Sequence, residues 1–102
     1  MNPRFYDDIA EFYKVAYPFL LEHEAENNLP LAILISLKKN IEIYGEEKPL
    51  LFSLSDAKNV KLIAIRTPPH DLIISYADDL STIEVLTEEL TMRNENCQGV
   101  KF

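Results

Sequence analysis

Residues 49–75 read PLLFSLSDAKNVKLIAIRTPPHDLIIS. Three short apolar runs rich in β-forming residues, at 49–55, 60–67 and 71–75, are separated by Asp56-Ala57-Lys58-Asn59 and by Pro68-Pro69-His70. Apolar runs bounded by turn residues in this way predict strands. The two connections are far too short for a parallel crossover, so the strands form an antiparallel meander. The run Leu62-Ile63-Ala64-Ile65 is apolar on both alternating faces, which predicts a middle strand covered on both sides. Helices are therefore required on both faces of the sheet.

The flanking segments supply them. Asn2 followed by Pro3 reads as a cap and first helical position, and Phe5, Ile9, Phe12, Ala16 and Phe19 continue at helical spacing. Pro18 predicts a break or kink near Tyr17, with the helix resuming over 19–27. A polar corner, Asn27-Asn28, precedes a second helix in which Pro30 suits the first turn. Leu31, Leu34, Leu37 and Ile41 share one face there, and Gly45 is the C-terminal stop. Downstream of the strands, Ser81 with Glu84 forms a capping box, and Leu80, Ile83, Leu86 and Leu90 make an apolar stripe ending near Arg93. Gln98-Gly99 then turns the chain into Val100-Lys101-Phe102, the first residues of another strand.

The 102 residues are the size of one domain. Seventeen acidic against ten basic residues give a net charge of −7, which repels a phosphate backbone or an anionic membrane and argues against nucleic-acid binding. One cysteine, Cys97, cannot form an internal disulfide, and the N-terminus lacks a signal-peptide pattern, so a cytoplasmic location is expected. The longest apolar stretch, 29–37, contains Pro30 and Ser36 and is half of a bilayer span, so no transmembrane segment is expected.

The expected class is a mixed α/β (α+β) domain of order α-α-β-β-β-α-β, its third helix on one sheet face and the first two on the other. That order resembles the GNAT superfamily of N-acetyltransferases, whose fold runs strand, two helices, three antiparallel strands, helix, strand. The reading above lacks the first of those strands. Two stretches carry the resemblance: FLLEHEAENNLPLAILISL at 19–37, with its Glu24-Ala25 and Asn27-Asn28-Leu29 corner, and IAIRTPPHDLIIS at 63–75, with the turn from Arg66 to His70. The likeness spans roughly Phe5 to Val100 and is to the N-terminal, degenerate half of a two-part bacterial enzyme. It implies that residues 1–102 form one such domain, cut before a C-terminal acetyl-CoA-binding domain on which it packs.

GNAT enzymes hold the CoA pyrophosphate with a glycine-rich loop, Q/RxxGxG/A, leading into the helix after the third meander strand. Here that junction is Ser75-Tyr76-Ala77-Asp78-Asp79-Leu80-Ser81, with no glycine, arginine or glutamine. Asp78 and Asp79 would stabilise the helix start and repel a phosphate. No cofactor, no catalytic residue and no metal are therefore assigned to this segment, and acetyl-CoA is expected of the full-length protein alone. The candidate acceptor-binding residues are Arg66, Thr67 and His70. His70 beside Asp71 could act at a cleft edge, although a histidine after two prolines is more often a turn residue, and Thr67 suits the extended geometry required before proline. His23 among Glu22, Glu24 and Glu26 has only Glu26 and Asn27 at helical ligand spacing and reads as a solvated helix face. A second reading, from another class, is a non-catalytic stand-alone binding or adaptor domain of the same fold, acting through protein contacts or as a homodimer.

Overall fold

The computed structural model describes residues 2–68, 70–77 and 80–92, and the backbone of 100–101. The meander lies where its apolar runs place it: β2 (Leu50–Ser55), β3 (Val60–Arg66) and β4 (Leu72–Ile74), joined antiparallel. A further strand, β1 (Asn2–Phe5), pairs antiparallel with β2, from Asn2 opposite Ser55 to Phe5 opposite Phe52. A two-residue strand, β5 (Val100–Lys101), runs parallel to β4, giving a sheet of order β1-β2-β3-β4-β5. Three helices complete the domain: α1 (Ile9–Leu21), α2 (Asn28–Lys39) and α3 (Ser81–Met92).

Strand alternation divides the core in two. Leu51, Ile63, Ile65 and Ile73 pack with Phe12, Ala16 and Leu20 of α1 and Leu31, Leu34 and Leu37 of α2. Leu50, Phe52, Leu54, Leu62, Ala64, Leu72 and Ile74 face the other way, onto Leu86 and Leu90 of α3. In β3 the four central residues are all fully buried, two to each side, so the middle strand is covered on both faces. At roughly 25 cal/mol per Å² of apolar area, burying a Leu or Ile side chain is worth about 1.5–3 kcal/mol, so this strand concentrates the core's stabilisation.

Four expectations need correcting. The N-terminal residues form a strand, not the start of α1. Asp8 is the N-cap, its Oδ1 accepting from the Ala10 N–H at 2.9 Å, which leaves 2–5 free to complete the sheet edge. Pro3 is tolerated there because an edge strand need not use every donor. Phe5 meets Phe52 with ring centroids 4.9 Å apart, and the Arg4 guanidinium lies over the Tyr6 ring and 3.2 Å from Glu11. Second, Pro18 lies inside α1 without ending it. It is exposed, and the Lys14 carbonyl it cannot serve belongs to an exposed residue.

Third, α2 ends at Lys39 rather than running to Gly45, because the Asn40 side chain accepts the Glu42 N–H at 3.0 Å and turns the chain. Ile41 is accordingly 41% exposed. Gly45 closes the following turn at φ 135°, a conformation L side chains rarely adopt, and backs onto the Pro68 carbonyl. Fourth, Leu80 stands outside the apolar stripe of α3 at 76% exposure. The expectations for Met1, Pro69, Asp78, Asp79, Arg93, Cys97, the Gln98-Gly99 turn and Phe102 fall outside the described residues. None of the described helices is long and apolar enough to cross a membrane.

The helix start is open to test. Asp8→Ala removes a cap and lowers unfolding stability by about 1 kcal/mol, whereas Asn2→Ala, on the strand, changes it by less than about 0.5 kcal/mol. Urea unfolding of the two variants measures both, and equal losses would return the cap to Asn2.

Candidate functional site

The last residue of β3 and the turn after it hold the three candidate residues. The Thr67 carbonyl accepts from the His70 N–H at 2.8 Å, and the Arg66 Nε–H donates to the His70 carbonyl at 3.3 Å. Thr67 is buried, Arg66 half-buried and His70 exposed. The His70 ring meets Tyr44 edge-on, centroids 6.2 Å apart. Arg66 also borders a cleft of about 290 Å³ with Phe5, Tyr6 and Pro68, across which Lys48 is ion-paired with Asp7. The fold thus gathers Arg66, Thr67 and His70, but two of them serve the turn itself. Of the three, the His70 side chain is exposed and Arg66 is half-buried at that cleft, whereas Thr67 is buried.

The opposite end of β3 is organised around an asparagine. Asn27, fully buried at the corner between α1 and α2, donates from Nδ2 to the Leu20 carbonyl at 3.2 Å and accepts from the Tyr76 N–H at 2.7 Å. Its backbone N–H donates to His23 and its carbonyl accepts from Leu31, the first hydrogen bond of α2. Beside it, Ser75 takes over the end of the ladder. Its N–H donates to the Ile63 carbonyl, and its Oγ accepts the Ile63 N–H, both at 2.9 Å. The backbone donors of Ser75 and Tyr76, at the strand end before α3, are therefore already committed within the chain.

A larger cleft of about 590 Å³ opens at this end, between the C-terminal turn of α1, the β2–β3 turn and the start of α3. Phe19 and Val60 line it, together with the His23 and Tyr76 rings, whose centroids are 4.3 Å apart with a 39° tilt. His23, whose neighbours in sequence predict a solvated helix face, is half-buried against Tyr76. The β2–β3 turn contributes Lys58, and the start of β3 contributes Lys61. Asp56 Oδ1 anchors that turn by accepting the N–H groups of Asn59 at 2.7 Å and Lys58 at 2.9 Å, and Oδ2 lies 3.6 Å from Lys61 Nζ. These backbone donors, Asn59 first, hold the Asp56 carboxyl below its ordinary pKa, with a smaller contribution from Lys61.

Among the described residues no group of three His, Cys, Asp or Glu side chains could hold a metal ion. No buried side-chain polar atom among them lacks a hydrogen bond. The chain matches no family model, no curated protein and no solved structure.

Asn27→Ala strands the Tyr76 N–H and the Leu20 carbonyl and is expected to lower stability by about 2–4 kcal/mol, while the exposed Asn28→Ala stays within about 0.5 kcal/mol. Chemical denaturation decides between this and a corner that tolerates both changes. For Asp56 the folded-state pKa lies below the unfolded one, so its contribution is fully present above about pH 4 and is lost as pH falls through the lower folded value. The stability difference between the wild type and Asp56→Ala should be constant from pH 5 to 7 and close on acidification. A difference that persists unchanged to pH 2 would rule the carboxylate out as its source.

Proposed function

We propose that this chain is the N-terminal, non-cofactor-binding portion of a GNAT-family N-acetyltransferase, packing on a catalytic half that binds acetyl-CoA. The complete enzyme would move an acetyl group from a thioester to an amine: the nitrogen attacks the carbonyl, the C–N bond forms, the C–S bond breaks, and the amine proton leaves with the thiol. What carries the reading is β1. Its presence makes the element order strand, two helices, three antiparallel strands, helix, strand, which is the order the family likeness implies and which the sequence reading left one strand short. The separation of α1 and α2 from α3 across the sheet agrees with it.

The sequence of the β4–α3 junction supports placing the cofactor outside this portion. A pyrophosphate at a helix N-terminus needs closely approaching backbone N–H groups and no competing negative charge. Between Tyr76 and Ser81 the chain brings two aspartates and no glycine. On this reading His70, exposed at the β3–β4 turn, is the candidate for contact with the acceptor, and Arg66 and Thr67 hold the turn that presents it.

Two measurements test the proposal. Calorimetric titration of this chain with acetyl-CoA should show no binding, and micromolar affinity would overturn the assignment of the cofactor to another half. The intact mass of the natural gene product in its source cells should exceed this chain by on the order of 100–200 residues, one further domain. A product of this chain's own mass would replace the acetyltransferase reading with that of a stand-alone binding domain.

A further inference from the structure

The larger cleft combines features that the acetyltransferase reading does not use. The chain carries a net charge of −7, yet the β2–β3 side of the cleft presents two lysines, Lys58 and Lys61. Lys61 shares Asp56, and Lys58 makes no ion pair among the described residues. Lys58 projects from the short turn that Asp56 pins through two backbone N–H groups, and Lys61 from the start of β3, so their stems start from fixed positions. The His23–Tyr76 ring pair, with Tyr76 40% exposed, lines the same cleft, as do the apolar side chains of Phe19 and Val60. Glu22 borders the α1 side and disfavours an anion there, which leaves the turn side for a negative group. A volume of about 590 Å³ lies in the range of small-molecule sites, and its mainly polar lining includes the apolar side chains of Phe19 and Val60.

We propose that this cleft binds a flat-ringed small-molecule carboxylate, its ring against His23 and Tyr76 and its carboxylate toward Lys58 and Lys61. Aromatic rings gain from offset or tilted contact with one another. A carboxylate gains a charge-assisted hydrogen bond from an ammonium whose desolvation is partial. The site goes beyond the proposed function and does not depend on it, because it shares no residue with the Arg66–Thr67–His70 turn.

The test is an NMR titration of the ¹⁵N-labelled chain with 2-naphthoate, with uncharged 2-naphthamide and ringless acetate run in parallel. The expected result is saturable shifts confined to the amides of residues 19–23, 58–61 and 76, with a Kd of about 0.1–1 mM for 2-naphthoate, the weak end of small-ligand binding. Binding of 2-naphthamide should be about fivefold weaker, and acetate should give no saturation. The Lys58→Gln/Lys61→Gln variant, altered only at the cleft rim, should weaken 2-naphthoate by about fivefold while the rest of its spectrum is unchanged. Absence of saturable shifts, shifts centred elsewhere, or equal affinity for the carboxylate and the carboxamide would overturn the proposal. Unchanged 2-naphthoate affinity in the double variant would overturn it as well.

Discussion

The buried side chain of Asn27 is the constraint from which the rest of this domain's geometry follows. A primary amide taken out of water without partners costs more than most single contacts return. Here both ends are used: the amide nitrogen serves the last turn of α1, and the oxygen serves the backbone just beyond β4. Because the main chain of the same residue also closes the α1 corner and starts α2, one side chain sets three elements against each other. Neither an apolar residue nor aspartate would do the same, since only an amide both donates and accepts in the same fixed plane. The position of Tyr76, and with it the ring wall of the larger cleft, is a consequence of that arrangement.

Outside this corner the architecture is governed by alternation. Each strand of the meander sends one set of residues to the two-helix layer and the other to α3, and the register keeps the sets together: Leu51 opposite Ile65 and Ile65 opposite Ile73 on one face, Phe52 opposite Ala64 and Ala64 opposite Ile74 on the other. On the two-helix face the polar break in β2, Ser53, is satisfied by the Tyr6 hydroxyl at 3.0 Å, so the core there closes without a stranded donor.

Much of this was legible in the residues. The meander strands fell within a residue or two of their observed ends because their apolar runs are cut off by Asp, Asn and Pro, whose turn preferences are local. Helix α3 was legible too, through the helical spacing of Leu86 and Leu90, which the fold buries. The errors arose where a tertiary partner outweighed a local signal. Asn2-Pro3 has the pattern of a helix start, but the open edge of β2 and the ring of Phe52 draw those residues into the sheet. Gly45 has the pattern of a helix stop, but Asn40 stops the helix earlier. As for the candidate site, the turn bearing Arg66, Thr67 and His70 could be read because it is continuous. The larger cleft could not, because its walls come from α1, the β2–β3 turn, the end of β4 and α3, and nothing in the neighbourhood of His23 announces that Tyr76 will lie against it.

Strand β1 has one more consequence, which concerns time. Its partners, residues 52–55, lie across two whole helices from it along the chain, whereas β2, β3 and β4 are joined by short turns. Closing so long a loop costs entropy before any contact rewards it, so the local meander is the natural nucleus and β1 a late arrival. During synthesis β1 is made well before the strand it joins and must wait unpaired while β2 emerges. In that interval Pro3, which offers no donor, and the charge of Arg4 make it a poor template for another chain, so the same residues that make β1 a tolerable edge in the finished sheet guard it while it waits.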